Sequence, residues 1–178
     1  MDFNEWLVLQ ESNMQQLYTS TELAFPRTRK RQHAVDEIDI LSFSWTPYLG
    51  VNTLFLKALA KNETNGREYN PIILFKKVRY HDARDSRNLV EIADKDGRRH
   101  LLERLSQRNE VQVRCDCKDF YWRFNYEDKL DRSLWGRVRA KYEALYNPGS
   151  SNPLEMPGVC KHIIKLAQVL NNSGIMEG

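Results

Sequence analysis

The sequence predicts an α+β fold: an antiparallel β-sheet with one helix at its N-terminal end and another at its C-terminal end. Three observations carry this. From residue 38 onward the chain falls into short runs in which apolar and polar residues alternate, the period of a half-buried strand. The links between those runs are short, which favours antiparallel neighbours. At both ends of the chain the apolar spacing changes to three and four residues, the period of a helix.

Taken in order, "MDFNEWLVLQESNMQQLY" reads as a helix. Asp2 can cap it, with Glu5 three residues on as in a capping box, and Phe3, Trp6, Leu7, Met14, Leu17 and Tyr18 recur at helical spacing. This stripe either docks a partner or packs on the chain's own core. "FPRTRKRQHAV" follows as a break, because Pro26 stops a helix from the left. It carries the basic cluster Arg27, Arg29, Lys30 and Arg31. "IDILSFSW" and "NTLFLKALAK" read as strands, the second with Leu54, Leu56 and Ala58 on one side and Phe55, Lys57 and Leu59 on the other. "PIILFKKVRY" is a third, with Pro71 tolerable only at its start. "NLVEIADKDGRRHLLERL" reads as a hairpin turning at Asp94–Gly97, and "EVQVRCDC" as a last strand. Residues 128–146 return to helical spacing through Leu130, Leu134, Trp135, Val138, Tyr142 and Leu145. After the loop "NPGSSNPLEMPG", the closing helix "VCKHIIKLAQVLNN" has Ile163, Leu166, Ala167 and Leu170 as its apolar stripe. The reading is one β-rich domain over 38–178, preceded by a helix and basic loop over 1–37.

The composition narrows the class. With 178 residues, 41% of them hydrophobic, the chain has material for a real core, so wholesale disorder is excluded. The net charge of +3 is a mild basic excess that permits a nucleic-acid partner without demanding one. No apolar run approaches the roughly 18–20 residues of a membrane span. The first residues lack the pattern of a secretory signal, so a chain that is not secreted is expected. Three cysteines cannot all pair within the chain, and the thiols are expected to be reduced.

All three cysteines lie in two tight pairs, Cys115 with Cys117 and Cys160 with His162, and 42 residues lie between the pairs. Residues i and i+2 of a strand share a face, so Cys115 and Cys117 can present both sulfurs on one side at a strand end. Cys160 falls at the start of a helix that Pro157 and Gly158 introduce, where the positive helix end favours a thiolate. Three cysteines and a histidine are a common structural zinc set. Four protein ligands leave no open coordination position, so one structural Zn²⁺ is expected rather than a catalytic one. The bland alternative is three buried thiols, which behave as small core hydrophobes, and a surface histidine.

C-x-C followed by C-x-H at a helix start, with "VQV" entering the first pair and "CKHIIKLAQVL" after the second, resembles the SWIM-type zinc finger over about residues 110–172. The resemblance implies Cys115, Cys117, Cys160 and His162 as zinc ligands and a binding module rather than an enzyme. The 42-residue spacer is longer than is usual in that family. The layout also resembles small stand-alone SWIM-like proteins of tailed bacteriophages, which implies a virion or assembly component bound to other proteins. Without that origin the expected location is cytoplasmic.

Two further features bear on partners. The aromatic run Phe120, Tyr121, Trp122, Phe124 and Tyr126 can stack on bases, anchor an interface or fill the core beside the metal. Alternation of Tyr121 and Arg123 with Trp122 and Phe124 suggests one exposed and one buried side. Tyr121, Trp122 and Arg123, with Arg27, Arg29, Lys30 and Arg31, are the candidate partner-binding residues, and nucleic acid is the alternative partner class. Asp116 and Asp119 flank the first pair, either as hydrogen-bond acceptors behind the metal or as charged strand-end residues. His33, His81 and His100 show no catalytic spacing, and no phosphate-binding or nucleophile motif occurs, so neither a small-molecule substrate nor an enzymatic activity is expected.

Overall fold

The computed structural model of the chain describes residues 12–26, 33–83, 88–139 and 152–177. The architecture is α+β, with antiparallel sheets between a helix near the N-terminus and a helix near the C-terminus. In chain order the elements are α1 (Met14–Ala24), β1 (Ile38–Tyr48), β2 (Thr53–Asn62), β3 (Glu68–Tyr69), β4 (Ile72–Phe75), β5 (Tyr80–His81), β6 (Leu89–Ala93), β7 (Arg99–Glu103), β8 (Leu105–Ser106) and β9 (Val111–Arg114). They close with α2 (Lys118–Arg123), α3 (Asn125–Leu130), α4 (Lys161–Asn172) and β10 (Met176–Glu177). Among the described residues no helix is long and apolar enough to cross a membrane.

The main sheet runs β1-β2-β4-β9, with β3 beside β2, and every pairing in it is antiparallel. The alternation of β2 comes out as its sequence predicts: Leu54, Leu56, Ala58 and Ala60 are buried, and Phe55, Lys57 and Leu59 face the other way. Register places Trp45, Leu56, Ile73 and Val113 in one line across the four strands, all buried. Each fully buried apolar side chain of this size contributes about 1.5–3 kcal/mol, so this line is a main source of cohesion. The third strand is shorter than its sequence suggests. Lys77 at φ 54° turns the chain, and Tyr80–His81 joins a second antiparallel sheet, β5-β7-β6. The hairpin of that sheet turns where expected, with Asp94 Oδ1 accepting from the Asp96 and Arg98 backbone N–H groups.

Three expectations need correction. The N-terminal helix does not run unbroken from the start of the chain through Tyr18. Ser12 and Asn13 are not helical: Asn13 bridges Glu110, and the Ser12 carbonyl accepts from Val111 N at 3.1 Å. Helix α1 starts at Met14 under a capping box, in which Asn13 Oδ1 accepts from Gln16 N and Gln16 Oε1 accepts from Asn13 N. Asp2, Glu5, Phe3, Trp6 and Leu7 lie outside the described residues, as do Arg27, Arg29, Lys30 and Arg31. The described face of α1 packs into the chain's own core through Met14 and Leu17.

The second correction concerns 128–146. Helix α3 ends at Leu130, and residues 131–139 are not helical. The open edge of β9 captures them: Val113 N donates to Ser133 O at 2.7 Å, and Trp135 N donates to Val113 O at 3.0 Å. Leu134 is buried, the Trp135 ring sits 5.1 Å from Phe55, and Gly136 at φ 82° turns the chain away. Strand-edge hydrogen bonds and these two apolar contacts outweigh the helical spacing; Tyr142 and Leu145 lie outside the described residues. The third correction is the aromatic run, which lies along α2 and the start of α3, so its sides follow a helical period rather than simple alternation. Its inward residues are Phe120 and Phe124, one helical turn apart and both buried.

Candidate metal centre

Each of the two residue pairs is placed by a change of element. Strand β9 ends at Arg114, and Cys115 and Cys117 follow at once. Cys117 is the N-cap of α2, its Sγ accepting from Phe120 N at 3.3 Å. Between them, Asp116 accepts two hydrogen bonds from Asn70, at 2.7 Å from its backbone and 3.0 Å from its side chain. That bond ties the bend between the cysteines to the link between β3 and β4. Cys160 is the N-cap of α4, and His162 lies in that helix's first turn.

The approach to Cys160 is held by two consecutive backbone donors. Gly158 N donates to Asp128 Oδ1 at 2.8 Å, and Val159 N donates to Thr21 Oγ1 at 2.9 Å. Thr21 in turn donates to Leu17 O, so α1 reaches directly to the second ligand pair. Gly158 is the one residue that fits there: a Cβ would lie 2.5 Å from Phe124 Cε1 and 2.6 Å from Thr21 Oγ1. Asn152 closes the preceding turn, donating to the Arg123 and Met156 carbonyls.

These elements bring Cys115, Cys117, Cys160 and His162 together, all four buried, with one ligand atom from each within 4.8 Å of all the others. None of the cysteines is in a disulfide. Cys115 Sγ and Cys160 Sγ each lie 3.9 Å from His162 Nδ1. In a tetrahedral zinc site, with Zn–S about 2.3 Å and Zn–N about 2.0–2.1 Å, neighbouring ligand atoms are about 3.5–3.8 Å apart. The two sulfur–nitrogen separations of 3.9 Å are within a few tenths of an ångström of that, and a contraction of no more than about 1 Å brings the whole set around one ion. Three thiols and an imidazole in a tetrahedral arrangement suit zinc, whereas octahedral cations prefer oxygen.

Proton placement fits the same purpose. Hydrogen bonds from the Cys115 and Cys160 thiols, and then from His162, pull Cys117 far below the ordinary thiol value against the opposing effect of burial. Burial pushes Cys115 and Cys160 up. A dication entering the cluster takes the place of thiol protons that burial otherwise retains.

The other singled-out residues fall as follows. Tyr121, Trp122 and Arg123 lie on α2 and are half-buried. Arg123 pairs with Asp119 one turn back and lies over the Phe25 ring at 5.5 Å. Arg139 lies over the Tyr121 ring at 5.5 Å. His81 pairs with Glu103 at 3.2 Å and His100 with Asp94 at 2.9 Å, while His33 Nε2 contacts Phe25 O at 2.7 Å. Sequence reasoning missed Asn62, Thr21 and Asp128, which support the cluster from 100, 138 and 30 residues away along the chain. No local pattern marks them, because each acts through a contact that only the fold creates. Comparison with protein-family models, curated proteins and solved structures finds no match to this chain.

Proposed function

We propose that this chain is a non-enzymatic structural module of SWIM type, stabilised by one zinc ion and working through contacts with other proteins in a macromolecular assembly, specifically a tailed-phage particle or its assembly line. The observation that carries it is the closed, buried Cys115–Cys117–Cys160–His162 set. Four protein ligands around a tetrahedral ion leave no position for a substrate or a reactive water. Protein partners are favoured by the exposed apolar residues Leu41, Phe43, Tyr48, Leu49 and Val51, gathered along β1 and the turn after it. Phage origin rests on the sequence resemblance alone.

The test has two arms. Elemental analysis of the purified chain should return one zinc per molecule, lost in Cys117→Ser and Cys160→Ser. The chain should co-sediment with particles of its source, and Leu49→Asp with Val51→Asp should release it while leaving zinc content intact. Absence of tightly held zinc defeats the metal half; a chain that never associates with particles defeats the assembly half.

Nucleic-acid binding is the second reading, favoured by Arg139, exposed over the Tyr121 ring; burial, and after it the Arg139 charge, lower the pKa of neighbouring Arg114. Binding of this kind weakens steeply with salt, by close to one unit of log–log slope per phosphate contact. A chain with no affinity for single- or double-stranded DNA or RNA in low salt excludes it.

A further inference from the structure

We infer that Asn62 dictates which nitrogen of His162 takes the metal, holding the proton on Nε2 so that Nδ1 is the ligand. The inference rests on the metal reading above and adds a positioning residue to it. Asn62 Oδ1 lies 2.8 Å from His162 Nε2. An amide oxygen only accepts, so Nε2 must donate. A neutral imidazole carries one N–H, which leaves the lone pair on Nδ1. Nδ1 is also the atom that lies 3.9 Å from both the Cys115 and Cys160 sulfurs. The hydrogen bond and the ligand cluster therefore select the same tautomer from opposite sides of the ring.

Asn62 is itself held. It is the last residue of β2, 6% exposed, with its backbone N–H donating to Arg67 O at 2.9 Å and its carbonyl accepting from Gly66 N at 2.8 Å. The Tyr69 ring on β3 lies 4.7 Å from the imidazole and restricts its plane. A polar side chain this buried needs its partner, because leaving either atom unpaired loses the whole hydrogen bond without solvent to replace it. Partners that orient a metal-bound histidine from behind typically change metal affinity by 10–100-fold when removed. The same bond makes the β1–β2 hairpin part of the metal centre, 100 residues away in sequence from the histidine it orients.

The experiment is a long-range ¹H–¹⁵N correlation spectrum of the full chain, uniformly ¹⁵N-labelled and loaded with one equivalent of Zn²⁺, alongside chelator-competition titrations of Asn62→Leu and Asn62→Asp. The wild type should show His162 with a protonated Nε2 and a zinc-shifted Nδ1. Asn62→Leu should bind zinc 10–100-fold more weakly, and its His162 signals should report mixed ligation. Asn62→Asp, which still offers an oxygen to Nε2–H, should keep Nδ1 ligation. Zinc on Nε2 in the wild type overturns the inference, as does wild-type affinity in Asn62→Leu. Should Asn62→Leu not fold, the wild-type spectrum alone decides. A labelled chain that takes up no zinc overturns the metal reading itself, and the measured stoichiometry separates that failure from the other two.

Discussion

Replacing Asp128 by Asn tests how the fold treats a carboxyl it has sealed away. Asp128 is 0% exposed; its Oδ1 accepts from Gly158 N at 2.8 Å, and its Oδ2 has no hydrogen-bond partner among the described residues. Burial pushes its pKa well above 3.8, the Gly158 N–H bond opposes that, and the Asp131 and Glu127 carboxylates add to the rise. In the unfolded chain the carboxyl ionises above about pH 4. In the fold it stays neutral to a higher pH, so the folded state binds the proton more tightly. The stability linked to that proton is complete below the unfolded pKa and is lost as pH rises towards the folded one. Within that window one proton gives a slope of about 1.4 kcal/mol per pH unit. That loss is drawn from a total stability of only about 5–15 kcal/mol. Asn keeps the oxygen that Gly158 needs and cannot ionise, so the difference between variant and wild type isolates the carboxyl. Urea unfolding of both proteins at saturating zinc, at half-unit steps from pH 4.5 to 8, measures it. Asp128→Asn should gain on the wild type steadily as pH rises. A difference that stays flat within about 0.5 kcal/mol across the series would refute the reasoning.

Gly158→Ala should destabilise by about 1–3 kcal/mol by overpacking, because its new Cβ falls 2.5–2.8 Å from Phe124 and Thr21 atoms; zinc-saturated denaturation reads the loss, and stability equal to the wild type would show that the contact relaxes freely. Thr21→Val strands the buried Val159 N–H and should cost about 1–3 kcal/mol, with weaker zinc binding as its second readout. Zinc affinity should rise with pH, about tenfold per pH unit for each proton displaced, since burial keeps the Cys115 and Cys160 thiols protonated; competition titrations at pH 6 and 8 check the sign. Asn13→Ala should cost about 0.5–2 kcal/mol through the lost cap of α1, with zinc affinity unchanged.

What could be read from the sequence follows the range of the forces involved. The alternation in β2, the hairpin turn at Asp94–Gly97 and the closing helix are set within a few residues, and their signals survive in the fold. The four clustered residues were legible because two short spacings and a shared chemistry single them out. The start of α1 was misplaced although Asn13 and Gln16 spell a capping box as clearly as Asp2 and Glu5 do. Spacing alone does not reveal that Ser12 and Asn13 are non-helical; the bridge from Asn13 to Glu110 imposes that. The aromatic run held a usable signal, since Phe120 and Phe124 stand four apart, but alternation of charge and ring masked it. For Leu134 and Trp135 there was none: their helical spacing is overridden by the free edge of β9, twenty residues back.

The long spacer between the two ligand pairs looks at first like a weakness of the proposed SWIM-type reading, and polymer physics argues otherwise. Closing a flexible loop grows more costly only with the logarithm of its length, about 0.6 kcal/mol for each doubling. Lengthening a spacer from roughly ten residues to this chain's 42 is two doublings, so about 1.2 kcal/mol. Structural zinc sites contribute on the order of 10 kcal/mol, an order of magnitude more. The described part of the spacer is, moreover, pinned before any metal arrives. Residues 133–135 pair with Val113, Asp128 receives Gly158, and Asn152 closes on Arg123. Much of the closing entropy is therefore already lost to the fold itself. It follows that shortening the undescribed stretch 140–151 to a brief Gly–Ser link should leave zinc affinity within about tenfold of the wild type, whereas Asp128→Leu, at full spacer length, should weaken it more. Competition titrations on the two variants compare them directly. If the shortened chain loses zinc while Asp128→Leu keeps it, the insertion belongs to the metal centre, and the ligand pairs are not held by the contacts described here.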